Sequence, residues 1–143
     1  MTNRPADGLS VLLIEDREDV AQSTAELLTL CGHAPRVAAC GEAALSEVAR
    51  DVPDVVLVDL GLPDMDGWDV ARQIRARAGR QPVMIAVTGR GTEGDRIASA
   101  DAGLDLHLVK PADPCALTGL LARIRESLSD RSASGSSCVR AAR

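Results

Sequence analysis

Short apolar runs alternate with helical patterns five times along this chain. Leu9–Ile14 (LSVLLI) reads as a buried strand and runs directly into two acids, Glu15 and Asp16. Residues 17–31 then place Val20, Thr24, Leu27, Leu28 and Cys31 on one helical face, with Gly32 as the stop signal. Ala34–Ala39 predicts a second, short strand, and Gly41–Arg50 a short helix carrying Ala44, Leu45 and Val48. Asp54–Val58 (DVVLV) is the cleanest buried strand and leads straight into Asp59. After the turn GLPDMDG the pattern predicts a helix from Trp68 to Arg77. Pro82–Val87 (PVMIAV) gives a fourth strand ending at Thr88, and Thr92 with Asp95 suggests a capping box for a weak helix to Ala102. Leu106–Val109 is the fifth strand and ends at Lys110. Asp113 and Pro114 read as an N-cap and a helix-start proline, and the last helix puts Leu117, Leu120, Leu121, Ile124 and Leu128 on one stripe.

Near-continuous apolar strands, each followed by a helix, predict an α/β fold: a doubly wound parallel sheet covered on both faces. No internal repeat or second domain is visible. Residues 1–7 read as a short tail and 8–128 as the folded domain. The Ser/Ala/Arg-rich stretch Ser129–Arg143 predicts a disordered tail.

Composition narrows the function classes. The chain has 143 residues, 45% of them apolar, which suits one domain with a real core. A net charge of −5 argues against nucleic acid as a partner, because phosphate backbones are bound by dense cationic patches. The N-terminal decapeptide MTNRPADGLS has no apolar signal-peptide region, and no run approaches the roughly 18 apolar residues of a membrane span. The expectation is a cytoplasmic protein. Cys31, His33 and Cys40 form at most an incomplete soft-metal set, and free thiols are the plainer reading of the four cysteines.

In parallel sheets of this kind, function sits at the carboxyl ends of the strands. Those ends carry Glu15, Asp16, Asp59, Thr88 and Lys110. Lys110 is the one lysine among sixteen basic residues, a compact ammonium where the chain otherwise uses the wide guanidinium fork. Carboxylates that share a pocket repel one another unless protons or a cation join them. Oxygen-only ligands favour a hard divalent ion, most plausibly Mg2+, with Mn2+ as a substitute. Such a site suits a phosphoryl group, with one carboxylate attacking phosphorus in line.

Four motifs, ED at 15–16, DLGLPDMDG at 59–67, TG at 88–89 and LVKP at 108–111, together resemble the receiver domain of bacterial response regulators. The resemblance spans about residues 8–128. It implies a flavodoxin-like (βα)5 fold with strand order 2-1-3-4-5. It also implies Mg2+-dependent phosphorylation by a histidine kinase or histidine phosphotransfer protein in a two-component phosphorelay. Carried over, Asp59 is the phosphoacceptor, and Glu15, Asp16, Asp59 and the Gly61 carbonyl hold the metal. Thr88 binds a phosphoryl oxygen, and Lys110 pairs with Asp59 and then with the phosphoryl group. The Lys110-Pro111 bond is expected to be cis. Thr88 and His107 would form the switch that reshapes the surface of the fourth helix, fifth strand and fifth helix for a partner protein.

His107 stands where the family has an aromatic ring, and a plain surface-strand role stays open for it. Gly61 and Arg90 occupy positions that tune dephosphorylation in the family. Gly61 has no side chain to orient an attacking water, and the long cationic Arg90 either shields the phosphoryl group or points into solvent, so a moderately to long-lived phosphoryl-aspartate is expected. DLGLPDMDGWDVAR and LDLHLVKPADPCAL are similar to receivers of hybrid sensor kinases, whereas Met1 and the ragged tail favour a free single-domain protein. A monomer or weak dimer without a DNA-binding output domain is expected, acting only as its own phosphorylation catalyst. A never-phosphorylated docking module and an aspartyl-phosphate phosphatase are the rivals. The phosphatase reading lacks the second acid two places after Asp59, where Gly61 stands.

Overall fold

The computed structural model describes residues 8–62, 64–89, 93–109 and 114–134, with side chains described over 8–62, 64–89, 97–109 and 114–128. It divides into two compact units, Met1–Ala112 and Asp113–Arg143.

Five strands form one parallel sheet: β1 (Ser10–Ile14), β2 (Ala34–Ala38), β3 (Val55–Asp59), β4 (Val83–Thr88) and β5 (Leu106–Val109). Their order is β2-β1-β3-β4-β5, as the family resemblance implies. Helices α1 (Glu18–Leu30), α2 (Gly41–Arg50), α3 (Gly67–Arg77) and α4 (Glu93–Asp101) alternate with the strands. The second unit is α5 (Pro114–Ser134), in which Leu117 and Leu121 are buried and Leu120, Ile124 and Leu128 half-buried. This helix continues past Leu128, the end set by its apolar stripe, because nothing in the next residues breaks a helix.

Side chains alternate across the strands, so each buried strand feeds two cores. Leu12, Ile14, Val56, Val58, Met84 and Ala86 pack with Ala44 and Val48 of α2 and Val70, Ala71 and Ile74 of α3. Val11, Leu13, Val55, Leu57 and Ile85 point the other way and are equally buried. Burying one such aliphatic side chain contributes about 1.5–3 kcal/mol, which explains why the strands lack polar alternation. α1 lies beside β1 and β2 and buries Ala21 and Leu28. Cys31, assigned to that buried face by periodicity, is instead the exposed C-cap of α1. Its N–H bonds to the Leu27 and Leu28 carbonyls, and Gly32 follows at φ 91°.

Cys31, His33 and Cys40 make no metal site among the described residues. The His33 Nδ1 accepts the Leu9 N–H at 3.0 Å, so this ring fastens the start of β1. Asp54 does similar work, accepting the Ser10 N–H at 2.8 Å and pairing with Arg80 at 3.2 Å.

Candidate functional site

The chain order reverses between β1 and β3, the adjacent strands that leave in opposite directions along the sheet. A crevice opens at the carboxyl ends of the strands at such a switch point. Ile14 lies beside Val58 in register, so Glu15 and Asp59 are the next residues on neighbouring strands. Asp59 pairs in register with Val87, which brings Thr88 to the same rim.

One carboxylate oxygen from each of Glu15, Asp16 and Asp59 lies within 4.8 Å of the others. Glu15 and Asp59 are buried and Asp16 is exposed, so the cluster has a dry floor and an open mouth. The Glu15 backbone is held by its N–H to the Ala38 carbonyl at 3.0 Å, and its Oε2 accepts the Arg17 N–H at 3.1 Å. The Asp59 Oδ1 accepts the Gly61 N–H at 3.0 Å, which folds the following loop back over the carboxylate. Three carboxylates this close repel one another strongly at low effective dielectric. A hard cation relieves that repulsion, and an all-oxygen donor set with an open side fits Mg2+, which retains several waters.

A cleft of about 390 Å3 opens beside the acids, lined by Asp59, Leu60, Gly61, Asp66, Trp68, Thr88 and Gly89. Thr88 is buried like Asp59, at 7% exposure, and lines the cleft rather than forming a surface turn. His107 lies elsewhere, on β5 beside Ala86 in register, half-buried with both ring nitrogens enclosed. Arg90, Lys110 and Pro111, with Thr92 and Asp113, fall outside the described residues.

The loop between β3 and α3 carries interactions that the sequence pattern reveals only in part. Asp66 caps α3 by accepting the Trp68 N–H at 3.0 Å. Asp64 reaches across to another helix. Its two oxygens accept the N–H groups of Gly41 and Glu42, at 2.8 and 3.2 Å, at the start of α2. Gly67 lets α3 begin directly over the loop that follows β3, because a Cβ there would stand 2.7 Å from the Leu60 Cα and 2.9 Å from the Asp59 carbonyl oxygen. A DxDG pattern before a helix signals the cap, but not the long reach of Asp64 or the crowding at Gly67.

Backbone donation from Gly41, the largest cause, holds the Asp64 carboxyl below its ordinary value of 3.8. The hydrogen bond from Arg50 likewise holds Glu47, in the same helix, below 4.5. Folded values below the unfolded ones mean stability that is present above the unfolded pKa and lost as pH falls through the folded pKa. The difference in urea midpoint between the parent and Asp64→Ala is therefore expected to be full at neutral pH and to shrink below pH 3.8. A difference that stays constant down to acid pH contradicts the assignment of Asp64 as a charged cap of α2.

A flavodoxin-like sheet with an acidic, cation-competent cluster at its switch point is the arrangement of a signalling receiver of the two-component class. The family model for the response regulator receiver domain matches residues 11–122, and the chain belongs to that family. It is 38% identical over 120 residues to response regulator MprA of Mycobacterium leprae, covering 84% of this chain and 51% of that protein. It is 41% identical over 119 residues to the sensory transduction protein RegX3 of Mycobacterium tuberculosis, covering 83% of this chain and 50% of that one. The chain thus spans about half the length of the curated relatives it matches. Among solved structures, it is similar to the receiver domain of the sensor histidine kinase PA1611 from Pseudomonas aeruginosa PAO1. The identity there is 32% and the TM-score 0.75, covering 83% of this chain and 98% of the other. That structure has a magnesium ion coordinated in its active site cleft. Receiver domains accept phosphoryl groups from histidine kinases, and no described helix here is long and apolar enough to cross a membrane.

Proposed function

We propose that the chain takes a phosphoryl group from a phosphohistidine of a histidine kinase or phosphotransfer protein onto Asp59. The observation that carries this reading is the gathering of Glu15, Asp16 and Asp59 within 4.8 Å beside a cleft that also holds Thr88. An Asp59 oxygen attacks phosphorus in line, the P–O bond forms, and the P–N bond to the donor imidazole breaks, its nitrogen then taking a proton. Glu15, Asp16, Asp59 and the Gly61 carbonyl are the residues that would hold Mg2+. Bound there, the ion supplies charge compensation for the phosphoryl oxygens. The buried Thr88 hydroxyl donates to one phosphoryl oxygen, and Lys110 supplies the compact cation that neutralises another.

Phosphorylation adds negative charge and strong acceptor oxygens at the rim. Thr88 moving toward them, with His107 responding on β5, would alter the surfaces of α4 and β5 and so control a partner protein. The test is incubation with Mg2+ and acetyl phosphate followed by intact-mass measurement. One phosphate adduct, absent in Asp59→Asn, is expected. No adduct points instead to a docking module, and steady turnover of phosphomonoesters to a phosphatase.

Lys110→Arg keeps the charge but widens the head group. Uptake of phosphate is expected to slow by roughly tenfold or more, since small misplacements at a reacting centre are costly. Parent-like uptake in a time course with acetyl phosphate would remove the special role given to this lysine.

A further inference from the structure

Trp68 has a position that phosphoacceptor chemistry alone does not explain. Trp68 lines the same cleft as Asp59 and Thr88. Its Nε1–H donates to the Oγ of Ser99 at 2.9 Å, and Ser99 is only 3% exposed, within α4. The Trp68 backbone is held at the other end by the Asp66 cap. The residue therefore spans from the wall of the cleft to the interior side of α4. Breaking the indole bond would strand a buried hydroxyl away from water, so ring and helix are expected to move together.

We propose that Trp68 is a wall of the phosphoryl-accepting cleft and Ser99 its positioning residue, so that filling the cleft bears on α4 through the Trp68–Ser99 hydrogen bond. This rests on the phosphoacceptor reading of Asp59 and adds a route that bypasses Thr88 and His107. A phosphoryl group on Asp59 must share the cleft of about 390 Å3 with the indole. Asp66, whose carboxylate caps Trp68, lines the same cleft, so the added negative charge would repel it and strain that cap. Both effects act on one residue, and that residue is bonded to α4. The proposed route consists of one cleft-lining residue and its hydrogen bond to a buried serine of α4.

Trp68 is the single tryptophan, and the chain has no tyrosine, so tryptophan emission reports this ring alone. The full chain is treated with Mg2+ and acetyl phosphate, and intact mass, emission and amide hydrogen exchange across α4 are recorded together. In the parent, one phosphate is expected, with a change in emission and in α4 exchange. Ser99→Ala is expected to reach one phosphate more slowly and to lose the α4 response, which Ser99→Thr restores. Trp68→Phe keeps most of the ring but lacks the N–H, and should lose the α4 response as well, which keeps the test alive if Ser99→Ala folds poorly. Phosphate uptake with unchanged emission, or a parent-like α4 response in both variants, overturns the coupling. Absence of phosphate on the parent overturns it together with the phosphoacceptor reading, and the mass alone identifies that outcome.

Discussion

Gly67→Ala is expected to destabilise the domain by about 3 kcal/mol, at the upper end for overpacking, and to slow phosphate uptake at Asp59. The reason is which atoms the new methyl would meet. A Cβ at position 67 would stand 2.7 Å from the Leu60 Cα and 2.9 Å from the Asp59 carbonyl oxygen, and both are backbone. Backbone can yield only by moving the end of β3 or the start of α3. Moving the end of β3 shifts the Asp59 carboxylate relative to Glu15 and Asp16. Gly41 provides the internal control. A Cβ there would meet the Met65 Sδ at 2.6 Å and the Val70 Cγ2 at 2.9 Å, which are side-chain atoms, and the thioether can rotate away. Gly41→Ala is thus expected to cost clearly less than Gly67→Ala. Urea unfolding of both variants checks the order, and a Gly67→Ala midpoint equal to the parent's contradicts the crowding argument.

Arg75→Ala is expected to cost about 2–3 kcal/mol, for a reason remote from the site. The guanidinium gives two donors to the Gly103 carbonyl, at 2.9 and 2.7 Å, and one to the Pro82 carbonyl at 2.7 Å. It also pairs with Asp105 at 2.7 Å, and the same Asp105 oxygen accepts the Met84 N–H at 2.8 Å. One side chain at the end of α3 thereby ties the start of β4 to the turn before β5. The ion pair itself adds little, since the Asp105 side chain is 48% exposed and solvent screens it. Most of the loss comes from the carbonyls left without their donors. Arg75→Lys is expected to recover only part of the stability, because an ammonium cannot span the fork. Thermal unfolding of the three proteins tests this, and full recovery with lysine would show that charge alone matters.

Much of the fold was legible because buried parallel strands have an unambiguous pattern. Runs such as Leu9–Ile14 and Asp54–Val58 contain no alternation to misread, and each ends abruptly in a polar residue. The same abrupt ends displayed Glu15, Asp16, Asp59 and Thr88, which the sheet then gathers at one rim. Helix faces were less certain. Cys31 satisfied the apolar spacing of α1, yet the helix ends at Leu30 and turns Ala21 and Leu28 inward. Contacts between segments distant in the chain were not legible at all. Neither the reach of Asp64 to the N-terminus of α2 nor the bond from Trp68 to Ser99 has a local sequence signal, because each depends on how two helices meet.

Asp59 is the acid proposed to receive phosphate, and Glu15 and Asp16 the neighbours proposed to hold the metal that makes this feasible. The most direct measurement is to trap the phosphorylated protein with borohydride, which reduces an acyl phosphate to an alcohol, and to locate the reduced residue by peptide mass spectrometry. Reduction is expected at Asp59 alone, lost when Mg2+ is chelated and strongly diminished in Asp16→Asn. Reduction at Glu15, Asp16 or any other acid, or labelling of Asp59 indifferent to chelation, would contradict it.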